Sequence, residues 1–312
     1  MPQPPIPAQS SLGPADIGLY AVTVLIFSSG WLPLRFQLGV VDPEVSLVWR
    51  FIVASGCMFA VAALSGARLT FPLRDHLLFA VLGVTLFSLN FLAFYYAGYH
   101  LASGLLSVLF ALSAVLIPLM SALASRTWPR PRILAGALLG VVGVGLVFGP
   151  VLSERGFGSG LHLGLLAGLA GALLFSFGSM MSMALGRRHL PQASANAYSM
   201  FYGLVLLAAI ALLRGGHFQV EWTGRYLGSL AWLIIFPTLL GYAVYFQLIS
   251  RIGASRAGYG TVVMPILALL ISSLVEDFHW TLAAGVGIAL VLVGNFVVLG
   301  APRTPQGLPD KP

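Results

Sequence analysis

Leu25-Ile-Phe-Ser-Ser-Gly30 returns as Leu173-Leu-Phe-Ser-Phe-Gly178, and in each copy a proline follows at the same spacing, Pro43 and Pro191. The offset is 148 residues in a chain of 312. Two further matches keep the same order. Phe94 through Ala102-Ser103 resembles Phe246 through Ala254-Ser255, and Gly136 and Gly145 match Gly285 and Gly294. A repeat of this length in so apolar a chain reads as two fused copies of a membrane bundle, with a substrate path where the copies meet.

The composition sets the solvent. The chain is 58% hydrophobic and 8% charged, with a mean hydropathy of +0.94. A soluble domain carries roughly 25% charged residues. A spanning helix needs about 20 apolar residues, and ten stretches qualify: 17–37, 45–65, 76–98, 102–124, 132–150, 161–185, 193–213, 227–250, 255–275 and 280–300. The expected fold class is therefore all-α integral membrane, with ten transmembrane helices.

The domain reading follows from these segments. A mobile leader occupies 1–16, the first five-helix repeat 17–150, a connecting loop 151–160, the second repeat 161–300 and a mobile tail 301–312. The leader lacks a basic start followed by an apolar core, so it does not read as a cleaved signal. Cys57 is the single cysteine, in an apolar setting that fits packing.

Charge gives the orientation. Placing the N-terminus inside puts eleven of the sixteen Lys and Arg on inner segments, among them Arg68, Arg126, Arg130 and Arg188. Arg35, Arg155, Arg214 and Arg225 fall outside, and Arg50 lies within the second helix. This positive-inside bias predicts cytoplasmic termini in an inner (plasma) membrane. The net charge of +7 is thus a topology signal, and no nucleic-acid partner is expected. Five spans per copy is an odd number, so the second copy enters from the opposite side. The fold expected is two inverted five-helix repeats.

Gly136, Gly140, Gly143 and Gly145 on helix five, with Gly285, Gly287 and Gly294 on helix ten, form small-residue faces. Such faces let backbones approach closely in lipid, either within one bundle or across a homodimer.

The stretch Gly241-Tyr-Ala-Val-Tyr-Phe246, then Arg251-Ile-Gly-Ala-Ser-Arg-Ala257, Met264-Pro265-Ile266, Glu276 and a Gly-rich last helix resembles the second half of an EamA-type transporter. This family belongs to the drug/metabolite transporter superfamily, and the resemblance covers about 17–300. It implies ten helices in inverted repeats and export of small metabolites, with aromatic amino-acid exporters among the family members resembled. The chain departs from the family pattern at Ser113-Ala114, where a proline is common, and at Arg126, where a glutamate is common. Phe27 and Phe175 stand where several members have tryptophan.

All nine acidic residues fall at helix ends or in loops on this segmentation. Mid-membrane carboxylates usually mark proton or cation sites. The small multidrug pumps of the superfamily rely on one, and this chain has no equivalent. Neither a requirement for permanently cationic substrates nor carboxylate-based proton exchange is expected. No metal site and no cofactor are read from the sequence.

The candidate cavity residues are uncharged. They are Phe27, Ser28, Ser29 and Trp31 on helix one, Asn90 on helix three, Phe175, Ser176 and Ser179 on helix six, Tyr242 on helix eight and Pro265 on helix nine. Gly30 and Pro33 weaken helical hydrogen bonding and free backbone groups to face a cavity. Small hydroxyls suit the two ends of a zwitterion, and aromatic faces suit its ammonium. The alternative for each is helix packing, where Ser and Gly are common. Arg50, Tyr95, Tyr99 and His100 are gate or anchor candidates. For Arg50 the alternative is snorkelling toward Glu44 or Asp42, and for the Tyr-His group it is an interfacial aromatic belt.

The function read from these features is a secondary transporter exporting small amphipathic metabolites, amino acids foremost, by alternating access through a central cavity, with a facilitator fitting at least as well as a proton antiporter. The alternatives are a proton-antiporting exporter of other metabolites or drugs, and a non-transporting sensor or scaffold. HExxH and GxSxG are absent, so an intramembrane enzyme is not expected.

Overall fold

In the computed structural model, residues 13–155, 160–252, 260–276 and 280–299 are described, and no strand occurs among them. The first span is α1 (Pro14–Ser28) with α2 (Trp31–Phe36), and the second is α3 (Pro43–Leu64). The third is α4 (Leu73–Leu86) with α5 (Leu89–Gly98), and the fourth is α6 (Ser103–Ala111) with α7 (Ser113–Ala124). The fifth to seventh are α8 (Pro131–Arg155), α9 (Leu161–Arg187) and α10 (Gln192–Leu213). The eighth joins α11 (Gly224–Leu233), a π-helical segment (Ile234–Leu240) and α12 (Gly241–Ile252). The ninth is α13 (Gly260–Val275) and the tenth α14 (Leu282–Leu299).

Among the described residues, nine stretches are long and apolar enough to cross a bilayer, and Val262–Val275 is a shorter apolar helix. With no water in hydrocarbon, each span must bond its own backbone, so helices are the available solution. The chain is an all-α membrane protein of about ten helices. Two expected boundaries move. Helix α1 begins at Pro14, with the Asp16 carboxylate accepting from the Gly13 N–H at 3.2 Å, so the end of the leader belongs to the first span. Helix α8 runs on through Arg155, into the expected connecting loop. Residues 1–12 of the leader, 156–159 and 300–312 lie outside the described residues.

The contacts between spans exchange when the halves are swapped. The fifth span packs on the tenth, the second on the seventh and the fourth on the ninth. The sixth lies against the third and fourth, as the first lies against the eighth and ninth.

Glycine makes the closest of these contacts possible. A Cβ added at Gly143 would stand 2.5 Å from the Gly287 carbonyl oxygen, and one at Gly287 would stand 2.5 Å from that of Gly143. Gly136 and Gly294 show the same reciprocity at 2.8 Å. Of the two readings of this stripe, packing within one chain is the one these contacts fit. Gly136 and Gly143 are covered by the chain's own tenth span, whereas a Cβ at Gly145 or Gly285 would meet nothing within 4 Å.

Three spans end in the same turn, in which the N–H after a left-handed residue bonds a carbonyl five positions back. After α3 the left-handed residue is Gly66 (φ 67°), and after α10 it is Gly215 (φ 72°). After α7 it is Arg126 (φ 51°), with Thr127 N–H on the Ala122 carbonyl at 3.0 Å. A side chain costs about 1 kcal/mol in that conformation.

Candidate functional site

Proline explains where the first and eighth spans are interrupted. Pro33 has no N–H for the Ser29 carbonyl four residues back, and its ring crowds that carbonyl. The helix accordingly stops at Ser28 and restarts at Trp31. The copy in the second half has Met181 at this position, and α9 runs unbroken. Pro237 likewise withholds the donor that the Leu233 carbonyl would accept. The backbone shifts to π register there, and the Thr238 hydroxyl donates to Leu233 O at 2.7 Å. The third span breaks without proline or glycine. At Phe87–Ser88 the Ser88 hydroxyl satisfies the Gly83 and Val84 carbonyls at 3.0 and 2.9 Å.

These interruptions meet. A Cβ on Gly30 would lie 3.5 Å from the Pro237 ring, so the break in the first span faces the π segment of the eighth. Arg50 on α3 is buried at 3% exposure, and both its Nε and Nη2 donate to Thr238 Oγ1, at 3.2 and 2.8 Å. Its guanidinium lies over the Phe91 ring, 4.6 Å from the centroid. The fully buried Tyr95 hydroxyl lies beside Arg50 and interacts with its charge. Arg50 therefore points inward to the eighth span, and the snorkelling expected toward Glu44 is replaced by another pairing. The Glu44 carboxylate is held by Arg214 at 3.2 Å and by the Tyr96 hydroxyl at 3.0 Å.

The expected cavity residues divide into groups. Trp31 meets Phe94 edge-on (5.2 Å between centroids) and Phe110 (5.4 Å), and Phe175 reaches the same Phe110 at 4.5 Å. The first and sixth spans thus share an aromatic cluster. Phe27 instead meets Tyr245 edge-on at 6.1 Å, and no ring contact joins it to Phe175 among the described residues. Phe27 and Phe175, both read as cavity candidates, therefore sit against different aromatic neighbours.

Ser28 and Ser176 are both buried, and both donate to the carbonyl four residues back, Val24 and Ala172, at 2.6 Å. Their protons are spent within their own helices. Ser29 donates to Ile26 O at 2.9 Å and accepts from Trp232 Nε1 at 3.2 Å. Ser28, Ser29, Trp232, Phe236 and four residues of α13 line an apolar cavity of about 460 Å³ between the first, eighth and ninth spans. Ser179 is half-buried on α9. Asn90 is buried, and its Oδ1 has no partner among the described residues. Pro265 is buried within an unbroken α13, and the Tyr242 side chain lies outside the described residues.

The belt expected from the tyrosines splits. Tyr95 is core, whereas Tyr99 is exposed and shares a polar cavity of about 290 Å³ with Asp42, Glu44, Tyr96 and Arg214. His100 packs against Gly160 and Gly164 at the start of α9, where a Cβ would stand 2.6–2.8 Å from it.

Four ion pairs occur among the described residues, and every one joins the first half to the second. They are Asp16–Arg251 and Asp75–Arg188 at one end of the bundle, and Arg35–Glu276 and Glu44–Arg214 at the other. Glu276 is the most connected. It accepts from the Ser103 N–H at 2.9 Å, from the Ser103 hydroxyl and from Ser272 Oγ at 2.7 Å, with Arg35 Nε at 3.3 Å. Arg35 Nη1 also bonds Leu101 O at 2.7 Å. This node ties the first, fourth and ninth spans. The sequence placed Glu276 at a helix end and left Thr238 unnoticed. A hydroxyl directly after a mid-span proline was the available signal.

Spans interrupted beside a buried cation, inside a bundle of two exchangeable halves, define a polytopic membrane protein of transporter architecture. The sequence profile of the EamA-like transporter family matches residues 16–149 and again 162–300, and the chain belongs to that family. It is 22% identical over 284 residues to an uncharacterized transporter of Archaeoglobus fulgidus, covering 89% of this chain and 96% of that protein. It is 25% identical to the uncharacterized transporter YvbV of Bacillus subtilis, covering 90% of each. A solved crystal structure aligns with a TM-score of 0.62 at 20% identity, over 91% of this chain and 96% of the other, a likeness of fold. The family and the names of these relatives describe transporters rather than enzymes.

Proposed function

We propose that this membrane transporter moves small amphipathic metabolites, amino acids foremost, by alternating access between its two halves. The observation that carries the reading is the meeting of the span-one break, the π segment and Arg50 at one place. Interrupted spans free backbone groups for a substrate. A guanidinium suits a carboxylate. The Trp31–Phe94–Phe110–Phe175 cluster is the apolar wall on which a side chain would rest. The polar Thr238 hydroxyl between them is already occupied by Arg50, so substrate binding would exchange one acceptor for another.

Alternation requires contacts between halves to break at one end while those at the other end hold. The Glu276 node is the outer closure in this scheme, and Asp16–Arg251 with Asp75–Arg188 the inner one. In this reading the membrane is the inner (plasma) membrane, and the arginine distribution supports cytoplasmic termini. Export as a facilitator is the primary mode, and proton antiport the alternative.

Counterflow in proteoliposomes with labelled threonine, methionine and phenylalanine tests this, with Arg50→Gln and Phe175→Ala alongside. Counterflow of at least one substrate without a pH gradient, lost in Arg50→Gln, is expected. Transport seen only under an imposed pH difference would overturn the facilitator mode. Wild-type counterflow by Arg50→Gln would overturn the anchor.

A further inference from the structure

The loop from α7 to α8 reads Arg126-Thr-Trp-Pro-Arg-Pro-Arg132, with three arginines, one tryptophan and no acidic side chain. Trp128 is 92% exposed, and Arg126, Arg130 and Arg132 are exposed around it. An indole left outside the bundle is unfavourable in water, but it is at home at the headgroup level of a bilayer. The neighbouring positions fix that level. Leu123, near the end of α7, is 63% exposed, and Leu134, in the first turn of α8, is 45% exposed. Apolar side chains leaving both helices mark hydrocarbon, so the loop beyond them lies where lipid phosphates are.

Arg126 supplies an independent argument. It holds the left-handed position that Gly66 and Gly215 hold in the two sister turns, with the same hydrogen bonds. Glycine would relax this backbone. The chain keeps a cationic side chain there against the local conformational preference, which points to a use for the charge. Pro129 and Pro131 restrict the backbone between the arginines and withhold N–H donors.

We infer that this loop is a binding site for the phosphate of an anionic phospholipid, with Arg126 and Arg132 on the phosphate and the Trp128 indole seated at the lipid's glycerol level. Guanidinium groups pair with phosphate in bidentate fashion. An arginine near an anionic surface shifts binding by on the order of fivefold. The site is independent of any transported substrate.

The test uses the full chain in phosphatidylcholine vesicles containing either brominated phosphatidylglycerol or brominated phosphatidylcholine at equal mole fraction. Subtracting the signal of Trp128→Phe isolates Trp128, because the other five tryptophans are common to both proteins. Quenching by the anionic lipid is expected at a severalfold lower mole fraction than quenching by the neutral one. Arg126→Gly with Arg132→Gln should bring the two lipids together, while Arg126→Gly alone melts no lower than wild type in neutral detergent. Equal quenching by the two lipids in the wild type would overturn the site, as would a preference that survives in the double variant. Phosphatidylglycerol retained per protein after mild extraction from mixed vesicles reads the same preference without the Trp128 probe.

Discussion

Gly143→Ala is the sharpest test of how the halves are joined. The new methyl would stand 2.5 Å from the Gly287 oxygen, 2.8 Å from Val291 Cγ2 and 3.0 Å from Val291 N. Carbon atoms prefer separations of about 3.5–4.0 Å, and two of the three neighbours are backbone on a helix that cannot yield alone. The α8–α14 pair must therefore separate by a substantial fraction of an ångström, and overpacking of this kind costs about 1–3 kcal/mol. Alanine also gains up to about 1 kcal/mol of helix propensity over glycine, so a control is needed. Gly145→Ala provides it, because nothing lies within 4 Å of its added methyl and the propensity gain is shared.

Thermal unfolding in mild detergent should place Gly143→Ala below Gly145→Ala by an equivalent of about 1–3 kcal/mol. Gly287→Ala should match Gly143→Ala, since its methyl meets the Gly143 oxygen at the same 2.5 Å. The double variant should fall short of the sum, because one separation of the helices relieves both clashes. Equal melting of Gly143→Ala and Gly145→Ala would refute the close approach and return the stripe to a contact between chains.

Two further outcomes follow from the site. Thr238→Val leaves Leu233 O and two Arg50 donors without a hydroxyl, and should destabilise by about 1–3 kcal/mol. Thr238→Ser should melt near wild type, and equal loss in the two would show that the hydroxyl is not the holding group. Glu276→Gln should open the end closed by the Arg35–Ser103–Ser272 node. A cysteine at Ser107, buried one turn below Ser103, in a Cys57→Ser background, should then react several times faster with a membrane-impermeant maleimide. An unchanged rate would remove the node as a closure.

The repeat was legible because the Phe-Ser-x-Gly block and the glycine pairs recur in order, and packing residues keep their spacing when a bundle is duplicated. The break in the first span was equally legible, since Gly30 and Pro33 act through local backbone bonding. The break at Ser88 was not, having no proline or glycine to announce it. The serines of the repeated block were read either as cavity residues or as helix packing, and Ser28 and Ser176 turn their hydroxyls into their own helices. Arg50 was read as an anchor or a snorkelling side chain. Its partner Thr238 lies 188 positions away, beyond the reach of any local pattern.

The sequence by itself determined the number and rough extent of the spans, their membrane environment and the doubled design. Each span must satisfy its own backbone and its own hydrophobicity, so those properties are written segment by segment. Only the tertiary structure decided which faces meet. Lipid is as apolar as a protein core, so hydrophobic periodicity does not distinguish a lipid-facing position from a buried one. That is why Phe27 and Phe175, alike in sequence, have different neighbours, and why the glycine stripe found its partner inside the chain.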